Sequence, residues 1–247
     1  MIDAQTLSTV GPREEPTRRR RYKTEVAAVS PETSRATFDN HDSCFLGVSL
    51  ENSNFAPSKL ESMVKWISRR FKHCTVLVGD SIHRITLEST AECSPTVARA
   101  TALELGQQFI DDNQALFDFY GDETEFSFLR CSDVQVWEEY DKFHTQLQAL
   151  FKSDSEFLAS VESFGRAYHG KHSSDVGEAE FEARADMSSA YFLEEFAIFA
   201  CLQKRDLPVM VYPGSFSTLS EIAAGLHKSA PSELQELIVV SLHLKGK

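Results

Sequence analysis

Four side chains have the types and positions that group-transfer chemistry needs: Ser49, Tyr191, Glu195 and Tyr212. Ser49 ends the apolar run Cys44-Phe-Leu-Gly-Val-Ser49. A hydroxyl at the carboxyl end of a buried strand can act as a nucleophile, and it can equally cap the loop that follows. Tyr191 and Glu195 are four residues apart, so on a helix the phenol and carboxylate share one face, a turn from each other. The helix read over Ser188 to Lys204 is apolar around more than half its circumference, and a buried helix should not carry Glu194 and Glu195 without a reason. The structural alternative is a half-exposed face with the phenol reaching solvent. The YxxxE spacing favours Glu195 over Glu194 as the working acid. Tyr212 closes a further apolar run, Leu207-Pro-Val-Met-Val-Tyr212.

The elements around these residues set where they meet. Short apolar runs at 44–49, 75–80, 126–130, 207–212 and 236–244 read as strands, each continuous enough to be buried on both faces. Helical periodicity separates them: an amphipathic helix through Leu60, Met63, Val64, Ile67 and Phe71, a helix from Pro95 to Phe117, two stretches over 133–152 and 154–168, and a short one over 217–227. Ser188 or Ser189 is the expected cap of the Tyr191 helix, and His169–Gly177 the turn before it. Alternating strands and helices predict a Rossmann-like α/β fold: a five-stranded, mostly parallel sheet with helices on both faces. In such sheets the site lies beyond the carboxyl ends of the strands, where Ser49, Asp80 and Tyr212 would sit. Residues 1–42 have no apolar period and read as a disordered arm holding a basic cluster, Arg18-Arg-Arg-Arg-Tyr-Lys23; residues 43–247 form a single α/β catalytic domain.

Composition narrows the classes. The chain has 247 residues, 42% of them hydrophobic, enough to bury one full core. No run reaches the length of a membrane span and the start lacks the apolar core of a signal peptide, so the expectation is a cytoplasmic monomer without membrane contact. Five scattered cysteines read as reduced buried thiols, not as a disulfide frame. A net charge of −12 excludes coating nucleic acid by charge alone, so any such contact must be local.

Motif by motif, most chemistries fall away. Glu51 stands where a nucleophile elbow needs a small residue, and none of the eight histidines has a context that selects it as a serine activator. Neither GxGxxG nor GxxxxGK[ST] follows the first strand, which removes a dinucleotide site and a P-loop. A HIGH-like motif is also missing, so whatever is transferred must arrive activated. His169-Gly-Lys-His172 lacks matched ligand spacing, and no metal or other cofactor is expected.

At Gly47-Val-Ser-Leu-Glu-Asn-Ser-Asn-Phe55, Tyr191-Phe-Leu-Glu-Glu195 and Val211-Tyr-Pro213 the chain resembles the cyclodipeptide synthases. These are α/β enzymes related in fold to the catalytic domain of class I tyrosyl- and tryptophanyl-tRNA synthetases. The resemblance spans roughly residues 44–244. It implies that two aminoacyl-tRNAs are used in turn to make a cyclic dipeptide. Ser49 would take the first aminoacyl group as an ester, and Tyr191 and Glu195 would hold its amino group. Glu195 would also move a proton, and Tyr212 would orient groups during ring closure. Phe45 and Gly47 map to the wall of the first aminoacyl pocket, Asn52 and Pro213 near the second. Asn52 together with Tyr212-Pro213 fits neither subgroup of the family cleanly. The basic tRNA helix of better-known members is also missing, because the 95–117 helix carries only Arg99. The expected phosphate contacts are therefore Lys59, Lys65, Arg69, Arg70 and Lys72. Glu51 beside Asn52 could face a guanidinium, as in a divergent fungal group that uses arginine. Another serine-dependent acyl transferase and a non-catalytic RNA-binding module are the alternatives.

Overall fold

A computed structural model describes residues 21–90, 93–172, 177–215 and 217–246. The strands are β1 (Tyr22–Ser30), β2 (Ser43–Val48), β3 (His73–Val78), β4 (Glu125–Arg130), β5 (Val209–Pro213) and β6 (Ile238–Gly246). Nine α-helices are described: α1 (Pro57–Ile67), α2 (Asp80–Thr90), α3 (Pro95–Phe119), α4 (Cys131–Val134), α5 (Glu138–Ser153), α6 (Ser155–His172), α7 (Glu178–Gln203), α8 (Ser217–Ala223) and α9 (Ser232–Gln235).

The sheet runs β1-β6-β5-β2-β3-β4, parallel throughout except for β1, which pairs antiparallel with β6. Side-chain alternation fills two cores. Phe45, Leu77, Met210 and Val239 face the layer of α5 to α9, whereas Cys44, Leu46, Val76, Val211 and Val240 face the layer of α1 and α3. Burial on both faces is why β2, β3, β5 and β6 read as unbroken apolar runs. The chain goes from β2 outward to β3 and β4, then returns to β5 on the other side of β2. The strand order therefore reverses between β2 and β5, and the crevice at their carboxyl ends is where such a sheet binds ligands.

Several expectations are corrected. There are six strands and not five, and the arm read as disordered to residue 42 is ordered from Tyr22 as an edge strand followed by two 3-10 turns at 32–36 and 38–40. Residues 1–20, with most of the basic cluster, lie outside the described residues. Asp80 does not end a strand but begins α2. Its fully buried carboxylate accepts from Ser81 N at 2.6 Å, Ser132 N at 2.9 Å and Ser132 Oγ at 2.6 Å, which ties α2 to α4. The stretch 169–172 is the last turn of α6, and 173–176 lie outside the described residues. The Tyr191 helix starts at Glu178 after Gly177, so Ser188 and Ser189 are interior, with Ser189 Oγ donating back to Ala185 O at 3.3 Å.

Candidate active site

Two turns and one long helix build the site. After β2 the chain turns at Ser49-Leu-Glu-Asn52, with Glu51 in the left-handed region at φ 58°. That conformation costs a non-glycine residue about 1 kcal/mol. It sends the Glu51 carboxylate to His83 Nε2 on α2, 3.0 Å away. Asn52 then caps the short helical turn at 53–55, its Oδ1 accepting from Asn54 N at 2.9 Å. Its amide donates to the Tyr212 hydroxyl at 3.3 Å. After β5, Gly214 at φ 140° turns the chain away, a conformation that favours glycine. Asn54 holds this second turn by donating to Pro213 O at 3.1 Å.

Ser49 Oγ lies 3.0 Å from the Tyr212 hydroxyl and also bonds the Tyr191 phenol. The partners of this serine are thus two phenols, and the arrangement is not that of a serine-histidine couple. Tyr191 bonds Glu195 in turn, as the four-residue spacing predicts. Glu195 is 6% exposed, and its Oε2 has no hydrogen-bond partner among the described residues. Burial pushes its carboxyl up to about 8, against a smaller downward pull from the Tyr191 phenol. The Tyr191 phenol is raised well above its ordinary value, first by burial and then by the negative charge of Glu195.

Glu194 is spent differently. Arg84 of α2 clamps it with two bonds of 2.9 and 2.5 Å, and Gln135 donates to it at 3.0 Å. Adjacent positions on a helix point about 100° apart, so one acid meets a cation and the other meets the cavity.

That cavity, of about 650 Å³, is lined by Ser49, Glu51, Asn52, Tyr191, Glu195 and Tyr212. The sequence reading missed its other wall: His83, Ile85, Thr86 and Ser89 of α2, with Ser188 and Phe192 added by α7. A weak signal was present, since Ile82 and Ile85 recur at helical spacing behind Asp80, a good starting residue. Three of the expected binding residues lie beside the cavity and not in its lining. Phe45 is fully buried with its ring 5.5 Å from that of Phe199. Gly47 sits under the Tyr212 ring, and Pro213 presents its carbonyl to Asn54.

The expected phosphate contacts divide. Lys59, in the first turns of α1, reaches Asn54 Oδ1 at 3.3 Å and so stands at the site. Lys65, Arg69, Arg70 and Lys72 follow the helix away, toward the amino ends of the strands. There Arg70 stacks on Trp66 at 4.3 Å and Lys72 pairs with Asp42 at 3.0 Å. Among the described residues no helix is long and apolar enough to cross a membrane, and no group of three or more His, Cys, Asp or Glu is placed to hold a metal ion.

Known structures share this architecture. A cyclodipeptide synthase from Fluoribacter dumoffii is 19% identical with a TM-score of 0.78, covering 92% of this chain and 100% of its own. A Mycobacterium tuberculosis protein, whose structure relates cyclodipeptide synthetases to type I tRNA synthetases, is 16% identical with a TM-score of 0.64, covering 94% and 100%. The enzyme from Candidatus Glomeribacter gigasporarum, solved bound to Phe-tRNAPhe, is 15% identical with a TM-score of 0.59, covering 81% and 86%. No curated protein sequence matches. The cyclodipeptide synthase family model matches residues 27–224, most of the chain and every residue of the cavity described above, so this protein belongs to the cyclodipeptide synthases, enzymes that make cyclodipeptides from aminoacyl-tRNAs.

Proposed function

We propose that Ser49 carries the first aminoacyl group and that Glu195 with Tyr191 binds its amino group. The observation that carries this reading is the buried Oε2 of Glu195, without a donor among the described residues, in the cavity that also holds the Ser49 hydroxyl. A buried carboxyl oxygen without a donor is costly unless a ligand supplies one, and the ammonium of an aminoacyl ester does so.

The steps balance without metal or ATP. Ser49 Oγ attacks the ester carbonyl, the bond to the tRNA ribose oxygen breaks, and that oxygen leaves with the proton; two esters exchange, so no energy input is needed. The ammonium of the bound residue must then lose a proton to become a nucleophile. Glu195, raised to about 8, holds its own proton at neutral pH. The positive charge of the arriving ammonium favours the carboxylate, which gives that proton up to solvent as the aminoacyl group binds. It then takes one back from the ammonium, whose own value of about 8 keeps the exchange close to thermoneutral. The free amine attacks the second aminoacyl-tRNA and releases that tRNA. The new amino terminus attacks the Ser49 ester, which closes the ring and returns the proton to Oγ. Tyr212, fixed by Asn52 and Ser49, is positioned to orient both hydroxyl and carbonyl during closure.

Among the described residues the acids lining the cavity are Glu51 and Glu195, and no lysine or arginine lines it. With Glu195 assigned to the ammonium, Glu51, whose Oε2 meets His83 Nε2 but whose carboxylate is largely exposed, is the acid left to meet a cationic side chain, which supports arginine as one substrate. Charged tRNA is a cytoplasmic pool, so the cytoplasm is the proposed place of action. Expression in a bacterial host with mass analysis of the medium tests the reading. A cyclic dipeptide containing arginine is expected, lost in Ser49→Ala and redirected to another residue in Glu51→Gln. Folded, expressed protein that yields no diketopiperazine would sink it.

A further inference from the structure

The turn that carries the nucleophile also carries an acid, and α2 holds that acid in place. Ser49-Leu-Glu-Asn52 closes with Asn52 N donating to Ser49 O at 3.4 Å. Glu51 is two residues from the nucleophile, so its Cα lies no more than about 7 Å from that of Ser49. The Glu51 side chain is 61% exposed, and its Oε2 lies 3.0 Å from Nε2 of His83, whose side chain is 6% exposed. A carboxylate only accepts hydrogen bonds, so Nε2 carries the proton and donates. An exposed glutamate without such a donor samples many rotamers, whereas this one is held while its backbone stays in the left-handed region.

His83 is itself rigidly mounted. Three residues before it Asp80 is bonded to Ser132 of α4, and one residue after it Arg84 is bonded to Glu194 of α7. Arg84 Nη1 also donates to Ser81 O at 2.9 Å, across the turn of α2 that holds His83. Both His83 and Glu51 line the cavity of Ser49 and Glu195. The imidazole therefore places the Glu51 carboxylate from a fixed point, and no step from the Ser49 ester to ring closure uses it otherwise.

A carboxylate held in this way can still take a second partner. The bond from His83 uses one of about four acceptor sites, which leaves one on Oε2 and both on Oε1. Those are enough for two parallel N–H donors of a guanidinium. A planar fork gains from a carboxylate whose position is set before it arrives, because less freedom is lost as the bonds form. A lysine ammonium is a point charge with rotatable donors and gains little from that placement.

We propose that His83 is the positioning residue that holds Glu51 to receive a guanidinium, so that the cavity takes arginine in preference to lysine. This rests on Glu51 meeting a cationic side chain, as proposed above, and adds what tells one cation from the other.

The test is competition between arginyl-tRNA and lysyl-tRNA for the full chain, supplied with the other aminoacyl-tRNAs, with the cyclic dipeptides counted by mass. His83→Leu is expected to lower the ratio of arginine to lysine in the products about tenfold. It should fold as the parent does, checked by thermal melting, because the acid it releases is free to hydrate. His83→Met, unbranched and also without a donor, is the second such variant and should give the same ratio. His83→Gln keeps a donor and should keep most of the preference. In a Glu51→Gln background His83→Leu should shift the ratio no further, since the histidine acts through the acid. A ratio unmoved in His83→Leu and His83→Met, including one where all substrates slow together, would overturn the proposal. So would an equal shift in the Glu51→Gln background. Arginine use lost in Glu51→Gln but still favoured over lysine in His83→Leu refutes this inference alone. Arginine use indifferent to Glu51→Gln refutes the assignment of Glu51, and this inference with it. Equilibrium binding of the two aminoacyl-tRNAs to Ser49→Ala protein reads the same selectivity without turnover. Binding whose selectivity depends on His83, without diketopiperazine from the parent, refutes the catalytic reading alone.

Discussion

Glu195 makes a prediction in which stability and catalysis move in opposite directions. Its carboxyl titrates at about 8 in the folded protein against 4.5 as an ordinary carboxyl, and burial is the cause. Below pH 4.5 both folded and unfolded chains hold the proton and its contribution is level. Above that the unfolded chain releases the proton while the folded chain keeps it, so this residue makes the fold progressively less stable as pH rises, until the folded carboxyl also ionises. Applying proton linkage to those two values gives a loss of about 2 kcal/mol at pH 6 and about 3 kcal/mol at pH 7, levelling near 5 kcal/mol above pH 9. Glu195→Gln keeps the shape and removes the titration. Urea unfolding followed by tryptophan fluorescence, repeated from about pH 4 to 9 on both proteins, should show the variant gaining on the parent by those amounts, while its cyclic dipeptide output collapses. A stability difference that stays flat from about pH 5 to 8 would refute the raised carboxyl. A variant that turns over normally would refute its role as the proton acceptor.

Three further substitutions probe the supports of the site. Arg84→Met leaves Glu194, itself 11% exposed, without its cation, and a loss of about 3 to 5 kcal/mol is expected, recovered in large part by Arg84→Met/Glu194→Met; the readout is the unfolding midpoint of both variants. Gly106→Ala places a Cβ 2.5 Å from that of Asp80, so α2 and α3 must part; about 1 to 3 kcal/mol of stability should be lost, together with turnover, because α2 forms a wall of the cavity. Tyr212→Phe keeps the ring against Phe55 but deletes the hydroxyl shared by Ser49 and Asn52; stability should hold while formation of the Ser49 ester, followed by mass spectrometry of the intact protein, slows about tenfold to a hundredfold.

What the sequence made legible follows from where each signal resides. β2, β3, β5 and β6 carry their own signature, because a strand covered on both faces must be apolar along its length. β1 does not: Tyr22-Lys-Thr-Glu-Val-Ala-Ala-Val-Ser30 is a half-exposed edge strand whose identity depends on a partner more than 200 residues away. α2 was hidden for a related reason. Its buried positions include Asp80 and His83, polar residues that are tolerable because Ser132 of α4 and Glu51 of the turn after β2 reach them from elsewhere in the chain. Early in α7, Glu182, Arg184 and Asp186 are charged and exposed or half-exposed, so periodicity found only its apolar second half.

The pair Glu194 and Glu195 shows where sequence reasoning stops and packing begins. Two adjacent acids on an apolar helix announce that something unusual lies nearby, and the four-residue step from Tyr191 singles out one of them. Nothing local says how either charge is satisfied. The fold answers by bringing Arg84 and Gln135 to Glu194 and giving Glu195, among the described residues, no donor beyond a phenol. A buried carboxylate that the protein neutralises is architecture, since its energy is already spent. One that the protein leaves protonated and short of a donor keeps that energy for a ligand able to bring a positive charge and accept its loss, and an aminoacyl ammonium does both.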